Sequence, residues 1–218
     1  MTPLPLVYSV TQSGRVVDML NPRPETVSLA DIAVHLARIN RFGGACPAYS
    51  VAEHSCLVAA ALAGHADPLA PLCGLLHDAH EAYLGDTIRP VRHLRARIAG
   101  TDLDKALTPR FGAVIHKALG LPWPVPEHLR TAIREADARA LATEWRDLMP
   151  KTAPPGLPGA PEPYEGTVVP LGEQCARALF LRTAMDTAAR AGLGPLTRDA
   201  EQAFLALVPH HARETADA

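Results

Sequence analysis

Aromatic residues are scarce in this 218-residue chain: phenylalanine, tyrosine and tryptophan make up 5% of it. Alanine abounds instead. That balance suits helices better than a β-sandwich, whose strands draw on aromatic and β-branched side chains. Net charge is nearly absent too, at −2 with the histidines neutral. A dedicated nucleic-acid binder would be strongly basic, so no nucleic-acid polymer is expected as a partner. No apolar run is long enough to cross a bilayer, and no membrane span is expected. Met1 to Leu6 lack a basic segment followed by an apolar one, so no signal peptide is expected either. Only four cysteines occur, Cys46, Cys56, Cys73 and Cys175, and no two stand in a C-x-x-C pair. They read as reduced thiols of a cytoplasmic protein, mostly small core residues, with the wrong spacing for a zinc knuckle.

What is present suffices for a core. Hydrophobic residues make up 48% of the chain, which excludes long disorder and needs no disulfide staples. The length fits one large domain. Two strand-like runs, 6–10 and 15–20, flank a turn at Thr11 to Gly14 and predict a small N-terminal hairpin over 6–20. Apolar residues at helical spacing then predict helices over 29–40, 51–63, 69–84, 101–119, 127–149, 171–191 and 195–208. Ser28 and Asp31 resemble a capping signal for the first. Pro109 predicts a break or fresh start within the fourth. Residues 150–170 are rich in proline and glycine and form a loop, of a length that is uncommon unless functional or mobile. The expected fold is all-α, one helical bundle over 1–208 with a small β-hairpin and a flexible tail at 209–218.

Three segments carry chemistry: Val51 to Ser55, His77 to Glu81, and Glu135 to Asp137. His54 shares the face of its helix with Leu57, Val58, Ala61 and Leu62. It lies nine residues before the end of that helix, and His77 lies eight residues into the next. The connection between them is short, so the two helices are antiparallel neighbours. Both histidines then stand roughly 12–14 Å from the turn, at one height. Asp137 sits in an apolar stripe with Leu129, Ile133, Ala140 and Leu141, where a lone carboxylate is costly unless paired or metal-bound. Asp78 follows His77 directly. Two imidazoles and two carboxylates suit a divalent transition metal with open positions, and Mn, Co, Fe, Ni or Zn better than Mg. Glu81, four residues after His77, can place a carboxyl beside a metal-held water, and Asp86 can project from the helix end into the same cleft. Arg41, at the end of the first helix, and Arg89 and Arg92 offer guanidinium forks that match phosphate oxygens. By contrast His35 reads as a hydrogen-bonded core residue. His80 and His93 read as surface groups or partners of the ligands, and His210 and His211 as tail residues. Arg95 and Arg97 read as a solvated face.

The spacing His54 … His77-Asp78 … Asp137 resembles the H…HD…D signature of the HD-domain metal-dependent phosphohydrolases. Two stretches sharpen it: Ser50 to Ser55 is similar to the Glu-His-Ser block of the bacterial 5′-deoxynucleotidase branch, and His77 to Asp86 to its HD-x-x-E-x-x-x-x-D segment. Asn40-Arg41-Phe42 is similar to the branch's Asn-Arg-Trp, with phenylalanine in place of tryptophan. The resemblance covers roughly residues 29 to 145. It implies an HD-domain bundle in which His54, His77, Asp78 and Asp137 bind one divalent metal. Glu81 is then the catalytic carboxylate, Asp86 positions substrate or water, and Arg41 grips phosphate or sugar. In the family the aromatic beside the arginine packs against the sugar and disfavours a 2′-hydroxyl, so Phe42, being smaller, implies a weaker deoxy preference. The expected activity is hydrolysis of (deoxy)nucleoside 5′-monophosphates by a cytoplasmic enzyme, with a homodimer expected from relatives. The alternatives are a (deoxy)nucleoside triphosphate triphosphohydrolase and a non-catalytic nucleotide-binding regulator.

Overall fold

The structure, a computed structural model, describes residues 7–154 and 157–207. Leu6, Val208, the tail with His210 and His211, and two positions of the 150–170 loop lie outside the described residues. Among the described residues the chain forms a two-stranded antiparallel hairpin, β1 (Tyr8–Val10) and β2 (Val16–Asp18), followed by helices. These are α1 (Leu29–Arg38), α2 (Val51–Ala61), α3 (Ala70–Leu75), α4 (Glu81–Leu84), α5 (Arg89–Ala99), α6 (Leu103–Ala118), α7 (Glu127–Leu148), α8 (Glu173–Arg190) and α9 (Gly194–Leu205). The fold is therefore all-α with a small β-hairpin, as the composition predicts.

The hairpin pairs Ser9 with Val17 and buries Val17, which is 1% exposed. Asp31 does not cap α1, and Ser28 makes no side-chain cap bond. The Asp31 carboxylate instead accepts from the Ser13 backbone N–H at 2.8 Å and from its hydroxyl at 2.7 Å, pinning the hairpin turn to the helix. The main core is built from α1, α2, α3, α8 and α9, with Ile32, Leu36, Leu72, Leu75, Phe180 and Leu181 fully buried. A second cluster packs Leu129, Ile133 and Ala140 of α7 against Val58 of α2, Leu62 just beyond it and Cys73 of α3. Cys46, Cys56 and Cys73 are buried free thiols, as expected, and Cys175 is exposed.

Three expected boundaries are corrected. The helix expected over 69–84 splits into α3 and α4, with turns between them. The His77 ring takes the Gly74 carbonyl at 2.7 Å, the acceptor that the next helical turn would use. Pro109 does not interrupt α6, which runs through it. Pro109 is exposed, and so is Lys105, whose carbonyl is the one that Pro109 leaves without a donor, so water can serve it. Finally, α1 ends at Arg38, and Arg41 lies beyond it in a 3-10 turn, Arg41–Gly44. The expected helices also omit α5. It buries no residue, and leaves Leu94 57% and Ile98 80% exposed.

The 150–170 loop is laced to α7. Val168 N–H donates to Asp147 at 2.8 Å, Tyr164 N–H to the Thr143 hydroxyl at 2.8 Å, and the Arg139 and Arg146 guanidiniums bond carbonyls of Glu162 and Tyr164.

Candidate metal centre

His54 occupies the first turn of α2. A capping box starts that turn: the Ser50 hydroxyl accepts from Glu53 N–H at 3.3 Å, and the Glu53 carboxylate accepts from Ser50 N–H at 2.8 Å. The other Glu53 oxygen accepts from Leu171 N–H at 2.7 Å, so Glu53 is committed to the fold. His77 lies just past α3, which Gly74 lets approach α2 closely: a Cβ there would sit 2.7 Å from Leu62 Cδ1. The two imidazoles meet with centroids 5.2 Å apart.

Their nitrogens divide into two kinds. His77 Nδ1 donates to the Gly74 carbonyl at 2.7 Å, and His54 Nδ1 faces Glu144 Oε1 at 2.7 Å. Both Nε2 atoms are buried and make no hydrogen bond among the described residues. Carboxylates surround them. Asp78 Oδ2 lies 3.0 Å from His77 Nε2 and 3.7 Å from His54 Nε2, and Asp137 Oδ1 lies 3.1 Å from His54 Nε2 and 3.9 Å from His77 Nε2. A neutral imidazole whose Nδ1 carries the proton presents a lone pair at Nε2, and carboxylate oxygens present only lone pairs. Lone pairs that converge need positive charge between them, a proton or a metal cation, and Nδ1 bonded to a carbonyl or carboxylate is the usual support of a metal-binding histidine. His54, His77 and Asp78 could thus hold a metal ion, with ligand atoms all within 4.8 Å of one another. Asp78, His80 and Glu81 form a second group of the same tightness.

With no ion between them, the same carboxylates draw a proton to the imidazoles. Burial and Arg41 oppose protonation of His54, yet Glu144 and Asp137 raise its pKa to about 10. Burial opposes ionisation of Asp78, but His77 holds its pKa well below the usual range. Asp137 and Glu144 are lowered against burial, Asp137 chiefly by His54 and Glu144 by His54 and Arg41. Glu81 goes the other way: burial, then the charges of Asp78 and Asp86, push it up to about 9. One Glu81 oxygen is buried with no hydrogen-bond partner among the described residues.

Two residues of this site escaped the sequence reading. Glu144 is fully buried and joins His54, the Arg41 Nε at 3.0 Å and the Tyr49 hydroxyl at 3.2 Å. Its signal was available: it lies two turns after Asp137 on the same face of α7. Tyr49, 3% exposed, carried no pattern that could have singled it out. Arg41 is held beside them because its N–H donates to the Tyr49 carbonyl at 2.9 Å, part of a bridge that closes Asn40 on Ser50.

A cavity of about 500 Å³ opens on the cluster, lined among others by Arg41, Phe42, Asp78, Asp86, Arg89, His93 and Asp137. Arg92 is not in that lining, and its Nε is buried with no hydrogen-bond partner among the described residues. Glu81 is not in that lining either, and the helix expected over 69–84 does not carry it together with His77 and Asp78: α4 begins at Glu81 and those two precede it in turns. Phe42 has φ 57 and packs edge-on to Trp145, with centroids 6.0 Å apart. His35 is hydrogen-bonded at both nitrogens, to the Ala82 carbonyl and from Gln12 N–H, as a structural histidine should be. Another cavity, of about 450 Å³, lies between α2, α8 and residues 167–171, and no residue of the histidine cluster lines it.

No family model matches the chain. It is 40% identical over 142 residues to an uncharacterized protein of Rhodobacter capsulatus, covering 62% of this chain and 70% of that one. It is 34% identical over 164 residues to the uncharacterized protein YfdR of Escherichia coli, covering 72% of this chain and 82% of that one. The chain belongs to the family of these two proteins. No helix among the described residues is long and apolar enough to cross a membrane.

Proposed function

We propose that the chain is a metal-dependent phosphohydrolase of the HD-domain type acting on nucleotides, with (deoxy)nucleoside 5′-monophosphates as its substrates. The observation that carries this reading is the pair of buried Nε2 atoms facing Asp78 and Asp137, each with its Nδ1 already occupied. These four side chains would hold one divalent ion, of the Mn, Co, Fe, Ni or Zn kind given the mixed nitrogen and oxygen donors. When bound, such an ion polarises a phosphoryl oxygen and lowers the pKa of water.

The rest is work for the chain's own residues. Arg41 and Arg89 line the cavity, where they would bind phosphate oxygens and offset charge developing on them. Glu81, with a buried oxygen free of hydrogen bonds, would hold the proton that the leaving 5′-oxygen needs. Asp86, also in the lining, would orient substrate or water. Glu144 sits behind His54 and Arg41 and would fix both.

The test is a panel of nucleoside mono-, di- and triphosphates with Mn²⁺, Co²⁺, Zn²⁺ and Mg²⁺. Release of inorganic phosphate from monophosphates supports the proposal, and release of tripolyphosphate means the triphosphohydrolase. Binding without turnover across the panel would overturn both in favour of a nucleotide-binding regulator. In the active case Glu81→Ala should keep its metal and lose about 10²–10⁴-fold in kcat. A metal loss that matches the rate loss would instead make Glu81 a ligand, in the Asp78, His80 and Glu81 group.

A further inference from the structure

The cavity over the histidine cluster changes character along α7. Asp137 belongs to the cluster. Leu141 and Trp145, four and eight residues on, line the same cavity about 6 and 12 Å further along the helix. Phe42 and Leu157 complete an apolar wall there. Hydrogen-bond accounting limits what this wall can take. Phe42, Leu141 and Leu157 offer no polar side-chain atom, and the one donor of Trp145, its indole N–H, is already given to the Pro154 carbonyl at 2.9 Å. A sugar or a peptide group placed against the wall would lose its hydrogen bonds to water and gain none from these four side chains. A flat ring loses little at its faces and gains contact with the aromatic pair.

The wall is also held in place. Phe42 adopts φ 57, a conformation that a bulky residue keeps only when its surroundings enforce it. It meets Trp145 edge-on at 70°. The 150–170 loop supplies both Pro154, which fixes the indole, and Leu157, which closes the side. That gives this long loop a task which its sequence leaves open.

We infer that this end of the cavity is a subsite for a planar ring, the nucleobase of the substrate, with Trp145 as its principal contact and the 150–170 loop as the brace that orients it. The inference rests on the phosphohydrolase reading for the anchoring of the phosphate and for nothing else.

The experiment compares a deoxynucleoside 5′-monophosphate with deoxyribose 5-phosphate, which has the same phosphate and sugar but no ring, using the full chain loaded with Mn²⁺. The readout is the ratio of the two kcat/KM values. Stacking of a base on an aromatic side chain supports a fall in that ratio of about 10- to 100-fold in Trp145→Ala, and a smaller fall in Trp145→Phe, which keeps an aromatic face. An unchanged ratio in both variants overturns the inference. If wild type hydrolyses neither compound, the phosphohydrolase reading fails and the subsite is judged by binding. In the Trp123→Phe chain Trp145 is the sole tryptophan. Its emission should be quenched by the nucleotide and not by deoxyribose 5-phosphate. Equal response to both, or to neither, overturns the subsite.

Discussion

His54 is held from two sides by opposite demands. Glu144 fixes its Nδ1 from behind, and Asp78 and Asp137 crowd its Nε2 in front. Glu144 also accepts from Arg41 and Tyr49, so one fully buried carboxylate sets the position of an imidazole and a guanidinium together. Removing such a partner strands the others without compensation. Glu144→Ala should lower Mn²⁺ affinity about 10- to 100-fold and cost about 3–5 kcal/mol of stability. Glu144→Gln retains an acceptor for His54 and should recover most of the affinity. Metal titration and urea unfolding of the two variants check this, and wild-type affinity in the alanine variant would show that Glu144 supports only the fold. Phe42 makes a different kind of claim. It lines the cavity next to Arg41, whose guanidinium lies 5.5 Å from its ring centroid. An apolar wall rejects a hydroxyl only modestly, by about 10²-fold in comparable pockets. On the proposed function a deoxy preference below that limit is expected, sharpened in Phe42→Trp and erased in Phe42→Ala. Matched kcat/KM values for deoxy- and ribonucleotides measure it, and equal ratios in all three chains would free Phe42 of any part in sugar choice.

Helices in this chain differ in how much of them the core uses. α7 faces the core along its length, with Leu129, Ile133, Ala136, Ala140 and Leu148 buried, and the same side carries Asp137 and Glu144. No residue of α5 is buried, and the helix turns Leu94 and Ile98 to solvent. α6 lies between these extremes: Gly112 accepts the Trp123 ring so closely that a Cβ would lie 2.3 Å from one ring carbon and 2.8 Å from another. Gly112→Ala must therefore displace an indole, and a loss of about 1–3 kcal/mol is expected despite the better helix propensity of alanine. The paired change Leu94→Ser with Ile98→Ser, on the exposed face of α5, should stay within about 0.5 kcal/mol. Chemical denaturation of both measures the contrast. Equal losses would mean that the uncovered face of α5 contributes to folding.

At the level of the molecule, the cluster gathers side chains from four places in the chain: α2, the turn after α3, the turn after α1, and α7. A metal that binds this cluster only in the folded chain stabilises the fold by mass action. Mn²⁺ at a hundred times its Kd should raise unfolding free energy by about 2.7 kcal/mol. Asp78→Ala should abolish that increment while leaving helix content nearly intact. Thermal melts with and without metal, followed by circular dichroism, decide it. An increment that survives in Asp78→Ala would place the ion elsewhere.

Local pattern was enough for the all-α class, for most helix positions and for the meeting of His54 with His77. Helical periodicity and short connections are properties of neighbouring residues, and a short connection between two such segments brings residues at similar distances from it together, even though α3 ends before His77. Where periodicity is silent or competes with side-chain bonding, the chain alone misled. The His77 ring captures a carbonyl that the helix needed, and α5 has no buried stripe to announce it. The placement of Glu144 behind His54, the seating of Arg41 on that carboxylate, and the apolar wall of Phe42, Trp145 and Leu157 were decided by tertiary structure. These contacts join residues far apart in sequence, and spacing within one helix records which face a residue occupies but not what the packing of other helices brings against it.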